Sequence, residues 1–226
     1  MVVGIPQVGI VFVLISNNAG GDANLNAIAP VTTFDACILQ FNIVPQGNTL
    51  SFRYVFGSEE YPEFVCSQFN DVFGFFVTGP NPGGGNYNSN NIATIPNSGL
   101  SVAINTVNSG TPGSGYAASG CQSLAFSNLY VNNTNGTTIV YDGFTTVLTA
   151  SLAVIPCSTY TIKLAIADGG DRIYDSGVFL ESNSFNSTPT TVTTGTTVSG
   201  FTEAYEGCVG GVFTINYPDL VTSSTP

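Results

Sequence analysis

Short runs of β-branched and aromatic residues, broken by Gly, Asn and Pro, dominate the chain. LSFRYVF (50–56) alternates apolar and polar positions, as does YTIKLAIA (160–167). That two-residue period belongs to strands with one buried face. VFGFFV (72–77) has no polar position, the mark of a strand covered on both sides. Few stretches carry a 3.6-residue period. Strands are expected at about 8–15, 36–43, 48–56, 71–78, 91–95, 101–104, 138–141, 144–154, 159–167 and 177–181. This pattern predicts an all-β fold, a two-sheet sandwich of jelly-roll type with long loops.

Two of those loops are polar and rich in Gly and Asn or Ser: GPNPGGGNYNSNN (79–91) and NSGTPGSGYAASGCQS (108–123). Past Phe185 the composition shifts. Residues 1–186 read as the sandwich, 187–200 (STPTTVTTGTTVSG) as a Thr-rich linker, and 201–226 as an extra β segment. So short a segment makes no core alone. It opens a second domain, packs back on the first, or donates a strand to a neighbour.

Charge narrows the partners. Only 8% of the 226 residues are charged, 14 acidic against 3 basic, for a formal charge of -11. Arg53, Lys163 and Arg172 cannot form the basic patch that nucleic acid or an anionic membrane requires. GIVFVLI (9–15) is too short to span a bilayer. It lacks a positive leader region and reads as a strand, so no membrane insertion is expected. Histidine is absent, which removes Ser/His/Asp and Cys/His catalysis. Facing carboxylates suit glycoside hydrolysis, but with no tryptophan and no evident aromatic sugar platform, no enzyme is expected.

The acidic residues are concentrated. Glu59, Glu60, Glu63 and Asp71 lie between two strands, and Asp168, Asp171 and Asp175 follow a third, so two loops hold half of the 14. Asp22, Asn24 and Asn26 form a smaller oxygen-rich set. Calcium takes six to eight oxygens from such bendable loops, and carboxylates in aromatic surroundings without a cation are costly. The metal candidates are therefore Asp22, Glu59, Glu60, Asp71, Asp168, Asp171 and Asp175, with calcium as the expected ion. The alternative is that Asp168 and Asp175, like other turn residues, only cap backbone amides.

Five cysteines and no CxxC favour disulfides in an oxidising compartment. A Cys66–Cys121 bridge would pin the 108–123 loop beside the first acidic loop, and Cys37 with Cys157 is the other candidate pair. Tyr87, Tyr116 and Tyr130 offer stacking faces for a sugar, so a calcium-dependent carbohydrate-binding module is the competing function.

FRYVFGSEEYPEFV, FNDVFGFFVTGP, YDGFTTVLTA and IKLAIADGGDRIYDSGVFLESNSF, in that order, resemble the choice-of-anchor L domain over roughly residues 20–186. The resemblance implies a non-catalytic module of large secreted bacterial surface proteins, those of Bacteroidetes among them, whose anchors include type IX secretion signals. AYEGCVGGVFTINYP (204–218) resembles the opening of a Calx-beta-like repeat, which would make this chain a piece of a longer protein. An extracellular structural or adhesive module follows as the expectation. It would be calcium-stabilised and would contact other copies, neighbouring domains or a glycan.

Overall fold

The computed structural model describes residues 8–13, 18–187, 191–196 and 211–216, with side chains over 11 and 18–187. Twelve strands, one short α-helix and two 3-10 turns (Ala118–Gly120 and Ser127–Leu129) are seen there: β1 (Val8–Val13), α1 (Ala23–Ile28), β2 (Thr33–Ile43), β3 (Thr49–Ser58), β4 (Val72–Pro80), β5 (Asn86–Asn91), β6 (Tyr130–Asn132), β7 (Gly143–Thr145), β8 (Leu148–Ala153), β9 (Tyr160–Gly169), β10 (Ser176–Glu181), β11 (Thr191–Thr196) and β12 (Gly211–Asn216). One antiparallel sheet runs β1-β10-β3-β7-β6, with β8 also paired to β3; the second runs β2-β9-β4-β5. The expected all-β sandwich is the observed architecture.

Alternation builds the interior. Leu50, Phe52, Tyr54 and Phe56 of β3 point inward, as do Tyr160, Ile162, Leu164 and Ile166 of β9 and Phe73, Phe75 and Val77 of β4. Phe52 stacks on Phe75 across the two sheets at 4.1 Å between ring centres, and Tyr54 meets Phe73 at 5.4 Å. The unbroken apolar run of β4 has a direct cause. Its opposite face carries Val72 and Phe76 into a second cluster with Leu25, Ala29, Ala103, Ala165 and Ala167, beneath α1. The Asp22 side chain starts that helix by accepting from the amides of Asn24 and Leu25.

Several expected elements move. The strand expected at 91–95 lies earlier, as β5, inside the stretch read as a polar loop. Residues 101–104 make only isolated bridges, Thr94 with Ser101 and Val72 with Ala103. Residues 138–141 form no strand. Their carbonyls are gathered by Asn133, whose Nδ2 donates to Ile139 and Tyr141 while Oδ1 accepts from Thr137 and Thr138. β11 and β12 pair with each other as a separate two-stranded ladder. Most of the segment read as Calx-beta-like lies outside the described residues, as does Cys208.

Cys66 and Cys121 are bonded, 55 residues apart in sequence. Cys37 and Cys157 are not: each is free among the described residues, which corrects the second expected pair. The reason is spacing along β2. Cys157 sits beside Pro45, to whose carbonyl its amide donates at 2.9 Å. Cys37 lies near the other end of the strand, roughly 20 Å away at ~3.3 Å per residue, and a disulfide needs Cα atoms within about 7 Å. Because the Cys66–Cys121 bond closes a long loop, replacing both residues with serine is expected to destabilise the chain by about 2–5 kcal/mol. A midpoint in chemical denaturation unchanged from the parent would contradict this.

Candidate carboxylate site

One end of the sandwich gathers the acidic loops. β3 ends at Ser58, which lies opposite Ser176 at the start of β10, and β4 begins at Val72, opposite Ala167 near the end of β9. The 59–71 and 170–175 segments therefore leave the sheets side by side. Glu59 and Asp175 join them: the Glu59 amide donates to the Asp175 carbonyl at 3.1 Å, and the Asp175 amide to Glu59 Oε2 at 3.2 Å. Close packing holds the approach. A Cβ on Gly169 would overlap the Asn70 carbonyl, and Gly170 takes φ +97° against the Gln68 carbonyl.

Within this junction the carboxylates differ. Asp71 is buried and well served. Its Oδ1 accepts from the Gly169 amide at 3.0 Å and its Oδ2 from the Ser176 hydroxyl at 2.6 Å. Glu60 and Asp168 are each 1% exposed, and neither oxygen of either carboxylate has a hydrogen-bond partner among the described residues. Glu60 is pushed up to about 9, first by burial and then by Asp71, Asp171 and Asp168. Asp168 is raised to about 7 by burial and by Asp35, Asp175 and Asp171, against the pull of Arg172. Burial also holds Asp71 well above the ordinary carboxylate range, its two hydrogen bonds notwithstanding, and raises Asp175.

Asp35 belongs here as well, and sequence reasoning missed it. It is 1% exposed; Oδ1 accepts from Arg172 Nη1 at 2.6 Å, while Oδ2 has no partner among the described residues. An acid inside the otherwise apolar and polar-neutral strand TFDACILQFNI was the available signal. Two predicted ligands have other work. Asp22 caps α1 and pairs through Oδ2 with Lys163 at 2.5 Å, and Asp171 Oδ1 accepts from the Ile173 amide at 3.0 Å. Among the described residues no three His, Cys, Asp or Glu side chains already stand in metal-holding geometry. What stands there is a set of buried carboxyl groups with unused oxygens. Such a set takes up protons or a cation.

Of the tyrosines expected to stack on sugars, Tyr87 donates its hydroxyl to the Ala153 carbonyl at 3.0 Å, and Tyr130 packs on Tyr61 at 5.0 Å. Tyr116 joins Phe64, Phe69 and Tyr174 in an aromatic group on the loops of the acidic junction. No helix among the described residues is long and apolar enough to cross a membrane.

No curated protein and no solved structure matches the chain. The family model described as the choice-of-anchor L domain matches residues 10–186, which include both sheets and every carboxylate of the junction. The chain therefore belongs to the choice-of-anchor L family, and is a surface-associated module.

Proposed function

We propose that this chain is a non-catalytic structural module displayed outside the cell, whose two acidic loops are locked by calcium. One observation carries the reading: Glu60 and Asp168, both buried, offer four carboxylate oxygens that nothing in the described chain satisfies. The ion would join the loop after β3 to the end of β9, and so brace the two sheets at one end. Oxygen-only donors and excess negative charge suit calcium better than a transition metal. Asp71 and Asp35 would supply charge close by, with their amide, hydroxyl and guanidinium partners retained. The absence of histidine removes imidazole-based acid–base chemistry.

Thermal unfolding tests the ion. At calcium 100-fold above its Kd, the chain should gain about 2.7 kcal/mol over the chelated chain, a shift of several degrees in Tm. Glu60→Gln and Asp168→Asn should abolish that gain. In chelator near pH 8 each should raise Tm above the parent, because a neutral amide replaces a carboxyl that folding must bury as an anion, at Asp168, or protonate, at Glu60. Identical melting with calcium and with chelator would overturn the calcium reading.

pH gives a second readout. In the calcium-free chain Glu60 and Asp168 hold protons that the unfolded chain has already released. Their stabilising contribution is thus complete below their unfolded values, near pH 4, and is lost as pH rises through about 7 for Asp168 and about 9 for Glu60. Chelated protein should therefore lose stability steadily from pH 5 to 9. Calcium binds the charged forms, so the loaded protein should lose much less over the same interval. Parallel pH profiles in the two conditions would contradict the proposal.

Association with other copies or domains is the adhesive part of this reading. β11 and β12 form a two-stranded sheet, a size that is marginal alone in water and gains from a further strand or face. Light scattering of the whole chain should show a mass that rises with concentration. A constant monomer mass up to the millimolar range would remove this part.

A further inference from the structure

Three loops meet on the outer side of the junction. The Cys66–Cys121 bond and the hydrogen bond from the Gly113 amide to the Val65 carbonyl, 2.8 Å, fasten the 109–123 loop to the 59–71 loop. The Glu59–Asp175 exchange fastens the 170–175 loop to the same segment. At their meeting point the Phe64 ring lies 5.4 Å from Phe69, 5.4 Å from Tyr174 and 6.4 Å from Tyr116. This group is not core. Tyr116 is 36% exposed, Tyr174 47%, and the neighbouring Ile173 59%. Tyr174 is also held at φ +66°, a backbone conformation rare and costly for an aromatic residue. The turn that holds it there is closed by Asp171 Oδ1, which accepts from the Ile173 amide.

The rim of this patch is acidic. Glu63 is exposed beside Phe64, and half-buried Asp171 and Asp175 flank Ile173 and Tyr174. No base answers them. Arg53, Lys163 and Arg172, the only basic side chains in the sequence, are each held by another carboxylate: Glu181, Asp22 and Asp35. Aromatic faces attract a guanidinium or ammonium through their quadrupoles, and nearby carboxylates add direct pairing. Exposed aromatic rings on loops already fixed by a disulfide also make a preorganised anchor site.

We propose that the Phe64–Tyr116–Tyr174 patch docks a cationic segment of a partner protein, with arginine or lysine side chains laid over the rings and paired to Glu63, Asp171 and Asp175. It uses the outer side of the loops, and so does not depend on the calcium reading of Glu60 and Asp168.

Fluorescence anisotropy with a labelled octapeptide of alternating arginine and serine tests it, against the same peptide carrying citrulline, the uncharged analogue of arginine. The whole chain should bind the arginine peptide and not the citrulline one. Tyr116→Ala with Tyr174→Ala leaves the formal charge unchanged, and should weaken binding by about tenfold. Glu63→Gln, at an exposed position, should weaken it severalfold and provides a variant with little risk to folding. Three results would overturn the proposal: no binding of the arginine peptide; equal binding by the tyrosine variant, which would show only general attraction to an acidic surface; or capture of a neutral glycan on an array that the tyrosine variant loses, which would make the patch a sugar site.

Discussion

Three basic side chains serve 14 acidic ones, and the structure follows from how they are placed. Arg53 meets a largely covered Glu181 across the β3–β10 pair, with its own side chain half in water. Lys163 holds Asp22 and Asn24, and so fastens the start of α1 to β9. Arg172 reaches Asp35 and the Ala19 carbonyl with Phe34 beneath it, tying the β9–β10 loop to β2. Beyond Arg172 at Asp35, no base remains for the junction. Each other carboxylate there must be met by an amide, a hydroxyl, a proton or a cation from solution. Asp71 takes the first two; Glu60 and Asp168 are left with the last two.

The fold keeps those carboxylates from swinging into water. Glu60 follows directly on β3, whose inward residues are locked against β4 and β9 by the Phe52–Phe75 and Tyr54–Phe73 contacts. Tyr61 next to it is fully buried, its hydroxyl donating to the Val107 carbonyl at 2.5 Å. Asp168 lies in the β9 ladder, opposite Phe34. Moving either carboxylate outward would open the core or the sheet. The burial cost is therefore carried by the charge state, and in the calcium proposal a proton and the divalent cation would compete for the same oxygens. Anchoring of this kind suits a domain built with few ion pairs and one disulfide among the described residues.

What could be read from the residues follows physical lines. The two-residue period exposed β3 and β9 because each has one face on the core. β5 stayed hidden because NYNSNN has no such face to report; its pairing with β4 comes from backbone groups. α1 is six residues long, too short for a helical period, and its cap Asp22 could equally be read as a metal ligand. Residues 138–141 are β-rich in composition, yet Asn133 draws their carbonyls into a loop, an effect no local propensity contains. The acidic junction was legible as two loops because glutamates and aspartates are so rare elsewhere. Which carboxylates are orphaned was not, since that depends on Ser176, Gly169 and Arg172 arriving from other strands. The Cys66–Cys121 bond was inferable from adjacency of two polar loops. The fate of Cys37 and Cys157 depended on their distance along β2.

One segment serves both sides of this end of the molecule. Between residues 59 and 71 the chain sends Glu60, Tyr61 and Val65 inward and Glu63 and Phe64 toward solvent. Fixing the inner set fixes the outer one, since a backbone held by Tyr61 on one side and by the Cys66–Cys121 bond on the other leaves Glu63 and Phe64 little freedom. A binding surface on loops ordinarily loses affinity to the entropy of ordering them. Here that ordering accompanies folding of the sandwich itself. In the proposed docking role, a surface-associated module built this way would need no large apolar face to hold a partner, only rings and carboxylates kept in place by the buried tyrosine and the disulfide behind them.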